Sequence, residues 1–402
     1  MKLHYLEIKG SSPAYYALLG GLLLVILIGM AATYQMENNG HWITGMNNQI
    51  VWGLPHVFAI FLIVAASGAL NIASISSALG KKAYKPLARL SAITAVSLLA
   101  GGLAVLLLDL GRPDRLIVAM TKFNFMSIFT WNIFLYSGFM GIVAVYLWTM
   151  LDRPFNKYTQ AAGTFAFVWR LVLTMGTGSI FGMLIAREAY DSAILAPTFI
   201  IMSFSFGLAI YLLVLMGIFK YTNRPLGDYI INRLRKLLGV FVAAVFFMVM
   251  IYHLTFLYSA EHRDASLFIL SNGGTYTAIF WIGQIIIGTI LPLVFIFGPK
   301  CSKSRKLLSL ASVLIILGGM AQLYIIIIAG QAYPIELFKG YTISSSFADG
   351  IVASYSPSIY EFLLGMAGVA ISLFAILFAV KILGLLPLSL SDKVVNPNQR
   401  SD

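Results

Sequence analysis

The stretch LLLDLGRPDRL, residues 106–116, begins as uncharged apolar sequence and within a few positions carries Asp109, Arg112, Asp114 and Arg115. Gly111 suits a left-handed C-terminal cap and Pro113 prevents continuation, so the stretch reads as the abrupt end of a helix. Upstream, residues 87–108 hold a single charge, Arg89. A run that long and apolar, closed by a charge cluster, crosses a bilayer and stops at its surface. The whole chain agrees: of 402 residues 59% are hydrophobic and 10% charged, with mean hydropathy +0.88, which excludes a soluble domain.

A hydrocarbon core about 30 Å thick takes roughly 20 apolar residues per helical crossing, because every backbone N–H and C=O must be paired within the segment. Ten such runs occur, at about 14–34, 55–79, 87–108, 127–151, 162–185, 195–219, 236–258, 277–298, 307–329 and 360–386. The expected fold is an all-α integral membrane protein of about ten transmembrane helices, spans 1–10. Orientation follows from Lys and Arg. The side with the N-terminus, KKAYK (81–85), DRPFNK (152–157), KYTNRPLGDYIINRLRK (220–236), KCSKSRK (300–306) and the tail (387–402), with Arg89 and Lys381 at span ends, carries 20 of the 27 basic residues and 5 of the 15 acids. It is expected to be cytoplasmic, with both termini inside. The opposite side has six basic residues against ten acids. The formal net charge of +12 therefore reports topology, and no nucleic-acid partner is expected. The N-terminal run exceeds a usual signal-peptide core and is expected to persist as span 1.

Polar residues cluster at the outer ends of the spans: His56, Asp109, Arg112, Asn132, Tyr136, His253, Tyr258, Gln284, Gln322 and Glu361. Polar groups in hydrocarbon are costly, about 2.5–3.5 kcal/mol for a central charge, so a set at one depth marks a binding site or pathway. Each also has a plainer reading. His56 decorates a helix start after Pro55, His253 makes one interhelical hydrogen bond, and the two glutamines are packing glue. Arg170, about nine residues into span 5, is read first as structurally paired or snorkelling and second as part of a proton or water pathway.

A faint repeat is present. Spans 4 and 8 both enter from outside with a Trp and then an amide, Trp131–Asn132 and Trp281 before Gln284, while Pro55 and Pro197 precede spans 2 and 6. The expectation is two parallel four-helix bundles, spans 2–5 (55–185) and 6–9 (195–329), flanked by spans 1 and 10.

At VWGLPHVFAIFLIVAASGAL (51–70), LDLGRPDRL (108–116) and FNFMSIFTWNIFLYSGFMG (123–141) the sequence resembles the NrfD and polysulfide-reductase membrane-subunit family. It is most similar to the ten-span branch that includes the sulfite-reductase-associated membrane protein, the DsrP type. The resemblance implies a quinone-interacting anchor in the cytoplasmic membrane of a bacterium or archaeon, serving sulfur-compound metabolism. It implies (mena)quinone as substrate, with no haem or iron–sulfur cluster in this chain. The implied partners are a periplasmic ferredoxin-like iron–sulfur subunit, a multihaem cytochrome c and further membrane subunits. On the family's motifs fall His56, Asp109, Arg112, Trp131 and Tyr136, the first three as catalytic residues.

The chemistry asks for such residues. Quinol oxidation releases two electrons and two protons, so the ring oxygens need hydrogen-bonding partners and the protons an exit. A His near neutrality serves a quinone oxygen in either protonation state. An Asp at the boundary passes protons to water, and Arg112 is expected to keep Asp109 ionised and oriented. Trp52, Phe129 and Trp131 offer a flat apolar wall. Two alternatives stand beside this reading: a b-type cytochrome with His56 and His253 as haem ligands, and a secondary transporter, for which Pro292 and Gly176, Gly178 and Gly182 are candidate helix breaks. Cys301 is alone, so it forms no internal disulfide and holds no cluster. The outer connection 330–359, rich in aromatics, is expected to be an ordered lid or docking surface.

Overall fold

The computed structural model describes residues 4–299, 304–335 and 350–396. Cys301 lies outside these residues, as does much of the connection expected to form a lid. Among the described residues ten helices are long and apolar enough to cross a membrane. They are span 1 (Pro13–Asn39), span 2 (Leu54–Ser77), span 3 (Ala83–Leu108), span 4 (Ile128–Leu151), span 5 (Asn156–Gly182), span 6 (Leu195–Tyr221), span 7 (Asp228–Tyr258), span 8 (Thr275–Phe297), span 9 (Arg305–Ala332) and span 10 (Ile359–Ile382).

Spans 2, 3, 4 and 5 pack in a ring, and so do spans 6, 7, 8 and 9. Span 2 joins the rings by lying against spans 6 and 9. Its crossing with span 6 is closer than any side chain permits. A methyl on Gly68 would collide with the Ser203 carbonyl, and one on Gly207 with the Gly68 backbone. Small residues let helix backbones touch where lipid offers no hydrophobic drive to associate. Span 2 is in consequence buried on nearly every face. Spans 1 and 10 sit together on the first ring: span 10 packs on spans 3 and 2, and span 1 on span 10.

The described segments nearest the two termini meet at one end. Tyr5–Leu6 pairs antiparallel with Leu386–Pro387, and Arg224, after span 6, donates to the carbonyls of Leu6, Glu7 and Leu386. The opposite end carries His56 at the first turn of span 2. The repeat seen in the sequence has a structural counterpart there. Trp131 Nε1 donates to the Phe125 carbonyl and Trp281 Nε1 to the Leu270 carbonyl, each at 2.8 Å, anchoring spans 4 and 8 to the residues that precede them.

The rings differ in helix winding. Span 8 is π-helical over Ile279–Ile290 and span 9 over Ile325–Ala329. The first π segment ends just before Pro292, whose missing N–H could not complete an α-helical ladder. Arg170 is fully buried against the second ring. Its guanidinium stacks between Phe167 and Phe204, about 5 Å from each centroid, and Nη1 reaches the Ser67 carbonyl at 3.5 Å, while the buried Nε has no hydrogen-bond partner among the described residues.

Candidate functional site

A cavity of about 690 Å3 opens in the first ring at the His56 end. It is mainly apolar, walled by Trp52, Ile60, Leu103, Leu107, Phe129 and Phe181, and its polar lining comes from His56, Arg112, Arg115, Asn132, Tyr136 and Ser137. That size and mixture suit a flat organic ring with a few oriented polar atoms.

Local sequence places the imidazole. Gly53 is extended, the helix starts at Leu54, and Pro55 occupies its first turn, where a missing N–H costs nothing. His56 thereby faces the end of span 3. Asp109 follows the last helical residue, Leu108, and its own N–H still bonds the Val105 carbonyl, which holds the side chain inside the protein. His56 Nδ1 and Asp109 Oδ2 are 2.8 Å apart, with the carboxylate side chain 1% exposed. The contact lies off the ring's N–H axis, so by direction neither group makes an aligned hydrogen bond among the described residues. The 2.8 Å separation and the burial of the carboxylate mark the two groups as an ion-pair contact. With Nδ1 on the Asp109 side, Nε2 is the nitrogen left for the cavity.

Three expectations change. Asp109 does not line the cavity; it stands behind His56. Arg112 does not orient Asp109: its guanidinium lies on Asp114 at 3.2 Å, and both side chains are largely exposed. That hydrogen bond holds the Asp114 carboxyl below its ordinary pKa and raises Arg112 further. Trp131 is absent from the lining and half-exposed. The reason is helical phase: Phe129, Asn132, Ile133 and Tyr136 share the cavity face at the spacing of one helix side, and Trp131 falls outside it. Arg115, which the sequence presents as a surface charge, does line the cavity.

Tyr136 is buried in the lining, with its hydroxyl 3.1 Å from Thr177 Oγ1. Thr177 spends its proton on the Leu173 carbonyl, so Tyr136 is the donor of the pair and keeps a free lone pair. Asn132 donates to the carbonyls of Ile128 and Gly176, fixing span 4 on span 5. A side chain at Gly176 would press on Leu135 and crowd Asn132, so glycine permits this approach.

The remaining polar residues do not join this site. His253, Gln284 and Gln322 line a second cavity of about 30 Å3 in the other ring, with Thr198 and Tyr252. His253 Nδ1 pairs with Ser266 Oγ at 2.8 Å. His56 and His253 thus open to different cavities, and the pair needed for a shared haem is not brought together. Glu361 is fully buried in another role: it accepts from the N–H of Gly45 and Ser358 and from the Tyr355 hydroxyl, capping span 10. Tyr355 in turn accepts from the Leu54 N–H, the first residue of the His56 helix. Burial and the adjoining Glu361 push the Tyr355 hydroxyl well above the ordinary tyrosine range, so it remains a neutral donor.

Two further contributors carry no clear sequence signal. Ile327 reaches the first cavity from span 9, in the second ring. Gln331, one turn on, bonds the backbone at Trp52. A Gln near the end of an apolar span is indistinguishable by sequence from packing glue.

Comparison with known proteins agrees with this architecture. The family described as polysulphide reductase, NrfD, matches residues 42–335. The chain is 27% identical to the Hdr-like menaquinol oxidoreductase integral membrane subunit of Archaeoglobus fulgidus, covering 98% of this chain and all of that one. It is 25% identical to the C component of the selenate reductase of Mesobacillus selenatarsenatis, over 88% of this chain and 91% of the relative. It is also 25% identical to the C component of the polysulfide reductase of Wolinella succinogenes, over 71% and 96%. The Archaeoglobus relative is described as an integral membrane subunit, and with its ten candidate spans among the described residues this multi-pass membrane protein belongs to the polysulphide reductase NrfD family.

Proposed function

We propose that this chain is the membrane anchor and quinone-interacting subunit of a respiratory electron-transfer complex, with menaquinol or menaquinone bound in the first cavity. The observation that carries the reading is the buried His56–Asp109 pair at an apolar cavity large enough for a naphthoquinone ring. The menaquinol named in the description of the Archaeoglobus relative supports it.

Quinol oxidation is written as loss of two protons and two electrons, leaving the quinone. His56 Nε2 accepts the proton of one ring hydroxyl, and Asp109 at Nδ1 stabilises the imidazolium that forms. Tyr136 accepts a hydrogen bond from the other hydroxyl, whose proton leaves to solvent at the exposed Arg112 end of the cavity. Trp52, Phe129 and Phe181 hold the ring flat and exclude water. Run in reverse, the His56 imidazolium returns one proton to a quinone oxygen and solvent at the cavity mouth supplies the other. The electrons leave for an iron–sulfur partner subunit, which we place at the His56 end as a periplasmic ferredoxin-like protein. A multihaem cytochrome c and further membrane subunits complete the assembly in sulfur-compound metabolism.

The proposed orientation has both termini cytoplasmic in a bacterial or archaeal cytoplasmic membrane, supported by the basic residues at that end. The test is binding of the menaquinol analogue heptyl-hydroxyquinoline N-oxide to wild type, His56→Ala and Asp109→Asn. Affinity falls at least tenfold in both variants; unchanged affinity in both removes the site.

A further inference from the structure

Gln331 lies at the end of span 9, in the ring that does not contain the His56–Asp109 pair, yet its carboxamide is saturated by backbone at the first cavity. Oε1 accepts from the N–H of Val51 at 2.9 Å and of Trp52 at 3.0 Å. Nε2 donates to the carbonyls of Trp52 at 3.0 Å and Ile327 at 2.8 Å. All four hydrogen-bonding positions of a primary amide are thus used. Three of the four fix residues 51–52, immediately before the helix that carries His56. The fourth fixes Ile327, which lines the same cavity.

The surroundings make the clamp rigid. Arg187 donates to the Gln331 backbone carbonyl and to the Gln49 carbonyl, tying the two segments together a second time. Tyr190 donates to the Ile327 carbonyl at 2.6 Å and packs with Trp52, ring centroids 6.5 Å apart. The Trp52 ring also lies 6.1 Å from His56 and from Phe129, and 5.7 Å from Phe181. Whatever sets the Val51–Trp52 backbone therefore sets one wall of the cavity and the start of the helix bearing its imidazole.

We propose that Gln331 is a positioning residue for the quinone site, acting from the second ring through the Trp52 backbone. The proposal rests on the quinone reading of the first cavity. It makes the site a property of both rings, with the π-helical turn Ile325–Ala329 as the joint: Ile325 and Ile326 face the second cavity and Ile327 the first.

The experiment uses the full chain in lipid nanodiscs with heptyl-hydroxyquinoline N-oxide as the fluorescent probe. Gln331→Leu strands the N–H groups of Val51 and Trp52 and the Trp52 carbonyl, while the Ile327 carbonyl keeps Tyr190, and weakens binding about tenfold. Gln331→Glu keeps the acceptor for Val51 and Trp52 and loses less. Gln322→Leu removes the same amide from the same span, at the other cavity, and leaves affinity unchanged. The decisive readout is a double-mutant cycle. In a Trp52→Ala background Gln331→Leu adds no further loss if it acts through Trp52, whereas a residue that only supports the fold multiplies with it. Multiplicative losses, or full affinity in Gln331→Leu, overturn the positioning role. If Gln331→Leu does not fold, Gln331→Glu decides in the same cycle. Loss of binding in His56→Ala alongside full affinity in Gln331→Leu overturns this proposal alone; a wild type that never binds the probe overturns the quinone reading with it.

Discussion

Each ring of four spans encloses a cavity at the His56 end, and the two cavities are built from corresponding spans with opposite results. The first is about 690 Å3, mainly apolar, and backed by one buried carboxylate on one imidazole. The second is about 30 Å3, room for roughly two waters, and its polar groups are Thr198, Tyr252, His253, Gln284 and Gln322. Pro55 precedes His56 in span 2, while Pro197 precedes Thr198 in span 6, so the position that holds an imidazole in one ring holds a hydroxyl in the other. Span 3 stops at Asp109, whereas span 7 runs on to Tyr258, and the second ring's π-helical turns bring extra backbone inward. Polar residues at one depth therefore make two sites, of which one has the size and the acid–base pair for a quinone.

The sharpest way to break this comparison is to remove the acid from one cavity and the imidazole from the other. Asp109→Asn leaves the shape and takes away the charge that stabilises an imidazolium at His56. Quinol-dependent electron transfer in the assembled complex is expected to fall about 100-fold or more, the scale of a lost acid–base partner. His253→Ala, measured per folded protein, is expected to change that rate less than about twofold. Equal losses from the two variants would make the second cavity part of the reaction.

The rims of the cavities also differ. The start of span 2 is tied to span 10 through Leu54, Tyr355 and Glu361. Tyr355→Phe leaves the Leu54 N–H without its acceptor and Glu361 without one donor, which is expected to cost about 2 kcal/mol of stability. Thermal unfolding in lipid nanodiscs reads this directly. Thr198→Val at the second cavity loses only a bond to the Ile194 carbonyl of its own helix, so its midpoint is expected to stay near wild type.

Filling tests size. The short helix Leu116–Thr121 has no buried residue, and its Leu116, Ala119 and Met120 form the thin outer wall of the first cavity. Ala119→Trp is expected to weaken binding of heptyl-hydroxyquinoline N-oxide about tenfold, with little change in stability because nothing packs outside it. Gln284→Phe, which puts a larger side chain at the smaller cavity, is expected to leave that affinity unchanged.

Much of this is legible in the sequence because a bilayer imposes one rule on every segment. Ten spans follow from length and hydropathy, and the depth of His56 and Asp109 follows from where those spans stop. Their contact is a tertiary fact: residues 53 positions apart meet only through the packing of spans 2 and 3. Sequence alone pairs Asp109 with Arg112 because the two are close along the polypeptide, yet the backbone turns at Gly111 and carries Arg112 outward. It misplaces Trp131 by one helical step, an error that apolar surroundings on all sides cannot correct. The π-helical turns of spans 8 and 9 are illegible for the same reason. In runs such as IIIGTIL and YIIIIAG, windings of 3.6 and 4.4 residues per turn bury equally apolar faces.

Arg112 gives the smallest expected effect, and it separates proximity from function. The sequence puts it on a family motif beside Asp109, while in the structure its guanidinium lies on Asp114 at the cavity mouth, with both side chains more than 60% exposed. An exposed ion pair is screened by salt and worth little. Arg112→Ala is therefore expected to weaken binding of heptyl-hydroxyquinoline N-oxide by less than about threefold at physiological salt. Asp114→Ala frees the guanidinium without removing it, and its effect is expected to be no larger. A tenfold loss in Arg112→Ala, undiminished at high salt, would show that Arg112 leaves Asp114 and turns into the cavity when the ring binds. The first cavity would then hold a cation facing the ring as well as an imidazole, a second charge for which the other cavity has no counterpart among its described residues.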